Sequence, residues 1–197
     1  ETGRTKKFEN VSSNHPDMGG VLWDMSFTEQ GKEEVAKLLA EGDRIARVDP
    51  KKAAIIFQKA IGFRKHDPHA WYNLGVCQHR LGDRNAAEAS YRHVLEFDPS
   101  IGQAWNNLGT CLVEQYRLDE GEECFDRGIA IDPDNPKFYL GKGNIAAMHG
   151  DFETARRYMN MALKKDPDYQ PARDALDKIS IMEKMNKGNW LKKILGR

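Results

Sequence analysis

The chain has 197 residues, 40% of them hydrophobic, with a mean hydropathy of −0.71. Lys plus Arg and Asp plus Glu both number 30, so there is no net basic field to make nucleic acid the main partner. No apolar run approaches the roughly 18 residues of a membrane-crossing helix. The first residue is Glu1 and not Met, so a processed or trimmed product is expected, and Glu1-Thr2-Gly3 fits a vector remnant.

Residues 1–26 are polar and rich in turn formers, as in Asn10–Asp17 and Gly19-Gly20, and read as an extended arm. Its end carries a compact apolar patch, Val21, Leu22, Trp23, Met25 and Phe27, expected to dock on the rest of the chain or on a neighbouring molecule. Trp23 and Phe27 are the candidate docking residues, and a homo-oligomer is one consequence. Ser26-x-x-Glu29 has capping-box spacing and is expected to open the first helix. Val35, Leu38, Leu39, Gly42, Ile45 and Ala46 follow at helical intervals. Asp49-Pro50 breaks that run, and Ala53, Ala54, Phe57, Ala60 and Ile61 mark a second helix.

From here a 34-residue spacing governs the chain. Trp71 recurs as Trp105 and Tyr139, and Gly75 as Gly109 and Gly143. Phe57 recurs as Tyr91, Phe125 and Met159. Ala53 recurs as Ala87 and, after a Gly121 exception, as Ala155. Pro99 recurs as Pro133 and Pro167. The Asp-Pro pairs at 98–99, 132–133 and 166–167 should each end a helix, because Pro cannot continue the hydrogen-bond ladder. Beyond Pro167 a further amphipathic helix is expected over about 170–186, stopping at Gly188. Residues 187–197 form a basic tail with Trp190, Leu191, Ile194 and Leu195 on one side. That tail suits either a membrane surface or a docking site on protein.

The period and the intact W-x2-L-G runs at 71–75 and 105–109 resemble the tetratricopeptide repeat family, over roughly residues 34–169. The resemblance implies an all-α, right-handed α-solenoid of about four helix pairs, over 27–67, 68–101, 102–135 and 136–169, with a C-terminal capping helix. The first pair is degenerate, with no Trp and no Leu-Gly in its opening helix, and Lys65 in the Pro column.

In that family the opening helix of each pair lines a concave groove. The resemblance therefore implies that one stripe of each such helix faces a protein or peptide partner. The stripe holds His69, Tyr72, Asn73, Val76, His79 and Arg80, then Gln103, Asn106, Asn107, Thr110, Val113 and Glu114, then Lys137, Leu140, Gly141, Asn144 and Met148. Asn73 and Asn107 occupy equivalent places, and an amide offers both donors and an acceptor to a peptide backbone. Tyr72, His79, Arg80 and Lys137 would select side chains. A carboxylate clamp of the kind some members use to hold acidic tails is matched only at Asn107 and Lys137; Tyr72, Val76 and Gly141 depart from it.

Other chemistry finds little footing. Cys77, Cys111 and Cys124 are read as small apolar filler, and unpaired thiols favour a cytoplasmic setting. His66-x-x-His69 and Cys77-x-His79 lack metal-ligand spacing, and Gly141-Lys142-Gly143 lacks the rest of a phosphate loop. No nucleophile–base motif stands out. The expectation is a non-enzymatic scaffold or adaptor without a cofactor, with self-assembly or membrane association through the arm or tail as the alternative. Asn10-Val11-Ser12 is a glycosylation sequon only in a secreted eukaryotic chain.

Overall fold

The computed structural model describes residues 29–195, with side chains through Met185. The arm, including Trp23, Ser26 and Phe27, lies outside the described residues, and so do the side chains of the basic tail. The described chain is helical throughout, from α1 (Glu29–Ile45) and α2 (Pro50–Phe63) to α3 (Pro68–Arg80) and α4 (Arg84–Phe97). Then come α5 (Gly102–Glu114), α6 (Leu118–Ile131), α7 (Pro136–Met148), α8 (Phe152–Lys165) and α9 (Gln170–Leu195).

Local chemistry sets these bounds. The side chains of Asp49, Asp67, Asp83, Asn135 and Asp151 accept from backbone N–H groups in the first turns of α2, α3, α4, α7 and α8. Pro50, Pro68 and Pro136 open helices where a missing N–H does no harm. Asp98, Asp132 and Asp166 follow the ends of α4, α6 and α8. Each accepts from the backbone N–H two residues on, across the Pro that stops the helix. The helix expected to stop at Gly188 instead continues to Leu195. An interior glycine weakens a helix by roughly 1 kcal/mol, which falls short of a break.

Within each pair a large side chain presses on a glycine. A Cβ added at Gly42, Gly75, Gly109 or Gly143 would lie 2.6, 2.7, 2.9 and 2.6 Å from Phe57, Tyr91, Phe125 and Met159 respectively. All four large side chains are fully buried or nearly so. The first pair, expected to lack this glycine, uses Gly42, one residue nearer to its ring than the 34-residue column predicts. Gly141, placed on the groove stripe by its spacing, is buried, and a Cβ added there would meet the Phe125 ring. Successive pairs then stack, and the apolar core runs along the whole length of the stack.

A second device recurs at each junction. Trp71 Nε1 donates to the Lys65 carbonyl at 2.7 Å, and Trp105 Nε1 to the Pro99 carbonyl at 2.8 Å. Tyr139 Oη donates to the Pro133 carbonyl at 2.8 Å, and Arg173 donates to the Pro167 carbonyl. Arg173 thus continues the Trp column into α9, which takes the place of an opening helix of a fifth pair.

Every odd-numbered helix also meets the next odd-numbered one, whereas the even-numbered helices do not approach one another to that degree. The odd row therefore runs along the inner, shorter side of the stack.

Between the helices of the later pairs one residue takes a left-handed backbone: Gly82 (φ 83°), Tyr116 (φ 61°) and Gly150 (φ 78°). Only Tyr116 has a Cβ to be strained there. Tyr116→Gly is expected to raise stability by roughly 1 kcal/mol, seen as a higher urea midpoint. Gly75→Ala should lower it by roughly 1–3 kcal/mol, because the added methyl must displace a buried ring.

Candidate functional site

The stripe residues sit along the odd row, and many are joined from one helix to the next. Asn73 Nδ2 donates to Asp43 Oδ1 of α1 at 2.9 Å, and His69 Nε2 lies 3.2 Å from Asp43 Oδ2. Arg80 Nη1 donates to the Ala46 carbonyl at 3.1 Å. Asn107 Nδ2 donates to Tyr72 Oη at 3.1 Å, and His79 Nε2 lies 3.0 Å from Glu114 Oε2. Arg84, from α4, donates to the same Glu114 oxygen at 2.8 Å.

Other members bond within their own helix. Asn106 Nδ2 donates to Asn107 Oδ1, and Thr110 Oγ1 donates to the Asn106 carbonyl at 2.9 Å. Val76 and Leu140 are half-buried against the core, while Gln103, Lys137 and Asn144 are exposed. The two asparagines are therefore held in place by neighbours. Each still has one amide N–H beyond these bonds, and Asn73 also keeps its carbonyl oxygen. Sequence spacing missed Asp43, which lies off the 34-residue grid from both of its partners.

Electrostatics tie the row together. Burial pushes the Glu114 carboxyl up, but hydrogen bonds from His79 and Arg84 outweigh it, and its pKa falls below the usual carboxylate value. Burial raises the Tyr72 phenol, against the Asn107 hydrogen bond. On the outer side Glu88 shows the Glu114 pattern, with Arg117, Gln115 and Arg92 as its donors. Lys142 of α7 is buried; desolvation pulls its ammonium down, yet Asp126 and Glu122 raise it to about 12. It serves as an internal ion pair between α6 and α7 and is closed to an outside ligand.

The remaining reactive groups are occupied or inert. Cys77, Cys111 and Cys124 are free and buried, and burial pushes the thiols of Cys111 and Cys124 up to about 12, far from a reactive thiolate. His66 stacks on Phe97 at 4.4 Å while His69 turns to Asp43, so the two point to different neighbours. Among the described residues no group of three His, Cys, Asp or Glu side chains is placed to hold a metal ion. Among them, too, no helix is long and apolar enough to cross a membrane.

Glu114 yields a pH test. Its folded-state pKa is depressed, so the stability it contributes is present above about pH 4.3 and is lost as pH falls through the folded value. The pair is partly exposed, which limits the contribution to under about 1 kcal/mol. Urea unfolding should show Glu114→Gln less stable than the parent at neutral pH, with the difference shrinking as pH falls below about 4.3.

Comparison with known proteins agrees with the fold. Models described as tetratricopeptide repeat match residues 68–101 and 112–179, together just over half of the chain. Small glutamine-rich tetratricopeptide repeat-containing protein 2 of Mycosarcoma maydis is 29% identical over 119 residues, 58% of this chain and 33% of that protein. Protein O-mannosyl-transferase TMTC1 of Mus musculus is 31% identical over 88 residues, 44% of this chain and 9% of that protein. The chain thus spans a third or less of these relatives. The solved structure of Pseudomonas aeruginosa pilF matches with a TM-score of 0.69 at 18% identity, covering 80% of this chain and 72% of that one. At that identity the likeness is one of fold.

Proposed function

Because the chain belongs to the tetratricopeptide repeat family of protein-interaction scaffolds, we propose that its inner row holds an extended segment of a partner polypeptide without performing chemistry on it. The observation that carries this reading is the set of side-chain bonds between successive odd helices, Asn73–Asp43, Asn107–Tyr72 and His79–Glu114. Polar groups already held by neighbours lose little freedom when a ligand arrives, so their hydrogen bonds translate into affinity. Asn73 and Asn107 would offer amide groups to the main chain of the segment. Tyr72, His79, Arg80 and the exposed Lys137 would choose among its side chains. Asp43 and Glu114 offset much of the local positive charge, which argues against a purely electrostatic hold on an acidic tail.

The raised pKa values of the buried cysteines and the engagement of the histidines support the non-enzymatic part of the reading. The transferase among the relatives shares only a small fraction of its length with this chain, a match compatible with a shared repeat module.

Peptides selected on the intact protein from a random phage-displayed library provide the test. Asn73→Ala with Asn107→Ala removes two to four hydrogen bonds of roughly 1 kcal/mol each and should weaken those peptides about tenfold or more. The circular dichroism spectrum should stay that of the parent. Equal affinity in the double variant would move the site off the inner row.

A further inference from the structure

Equivalent positions along the inner edge change character from one end of the stack to the other. At its start the edge is polar and carries charged groups: Arg80 of α3 donates to the Ala46 carbonyl of α1, and His79 of α3 meets Glu114 of α5. One period on, the places of His79 and Glu114 are taken by Val113 and Met148. Another period on they are taken by Ala147 and Met182. At that far end Met148 is 46%, Ile181 58%, Met182 46% and Met185 64% exposed. Met185 adjoins both Met182, at i,i+3, and Ile181, at i,i+4, along α9. An apolar strip rich in methionine, with adaptable side chains, ends the row.

We propose that this strip receives the apolar segment Val21–Phe27 of a second copy of the chain, so that copies join head to tail. The segment carries Val21, Leu22, Trp23, Met25 and Phe27 within seven residues, a density that favours burial. Its own strip is out of reach. Eight residues separate Val21 from Glu29, a fully extended span of at most about 29 Å. From α1 to α9 the odd row takes four steps of roughly 10 Å each, and the strip lies at the opposite end of those helices.

Surface within reach is mainly charged, its exposed apolar side chains being Val48 just past α1 and Ile55 on α2. The outer face of α1 presents Glu33, Lys37, Glu41 and Arg44, and the inner edge beside it holds Asp43 and His69. Charge does not oppose the far end, where exposed Lys178 and Lys184 stand beside Asp177 and Glu183, and either lysine could pair with Asp24 of the segment. So short a segment buries less than about 1,200 Å², which makes the contact transient and dependent on concentration. A contact between unlike surfaces leaves each copy with one free arm and one free strip.

The substitutions that test the proposal lie outside the residues to which the peptide-binding reading gives roles, so either can fail alone. Sedimentation velocity on the full chain, over a micromolar to submillimolar series, tests it. The parent should gain mass with concentration. Trp23→Ala with Phe27→Ala, and separately Ile181→Glu with Met182→Glu, should each weaken association about tenfold or more. A mixture of the two double variants retains one intact arm and one intact strip, and should form a one-to-one dimer that grows no further. Met185→Lys, at a more exposed site, repeats the strip test if the glutamate pair lowers the urea midpoint. A parent that stays monomeric throughout, variants that associate like the parent, or a mixture that gives no dimer would each overturn the proposal.

Discussion

Phe57, Tyr91, Phe125 and Met159 each lie against a backbone that carries no Cβ, at Gly42, Gly75, Gly109 and Gly143. That close approach sets the distance between the two helices of every pair. It also fixes which face of each opening helix remains for the next pair and which is left on the inner side. Burying such a side chain is worth roughly 1.5–3 kcal/mol, and it is available only because the opposite residue is the smallest one. The repeated Trp71, Trp105, Tyr139 and Arg173 bonds to the preceding turn then fix the angle at which one pair meets the next. Apolar packing sets spacing, and one directed hydrogen bond per junction sets orientation.

The inner row inherits its order from that frame. Because the odd helices are close, side chains of moderate length can bridge them, and Tyr72, Asn73, His79, Asn107 and Glu114 do so. These groups are held between two pairs, so their arrangement reports the relative position of those pairs. A ligand drawing on several of them would favour one curvature of the stack.

The fold class was legible because its determinants are periodic. Glycine, aromatic and proline columns at a 34-residue spacing survive in the plain text of the chain. What escaped that reading is equally physical. Gly42 does the work of Gly75 but is shifted by one residue, because the first pair joins its helices without the left-handed residue used later. Arg173 donates the same hydrogen bond as the tryptophans with a different chemical group, so no letter-by-letter column reveals it. Gly141 shares the column of Asn73 and Asn107, yet a ring from the preceding pair covers it, and only packing in three dimensions shows that. The stripe itself could be drawn from helical spacing. Its partners could not, since Asp43 follows no period and the bond from Asn107 to Tyr72 depends on how far apart two helices stand.

The third pair stands apart from its neighbours. Neither α5 nor α6 has a side-chain cap, and Tyr116 between them holds a backbone that suits glycine. Its ties run mostly backward: Arg117 and Gln115 to Glu88 of α4, Asn107 to Tyr72 and Glu114 to His79 of α3. A chain leaves the ribosome from its amino end, so α3 and α4 emerge before the part that leans on them. The helices least able to stand unaided thus meet a finished template as they are made, and the direction of synthesis becomes part of how this protein reaches its shape.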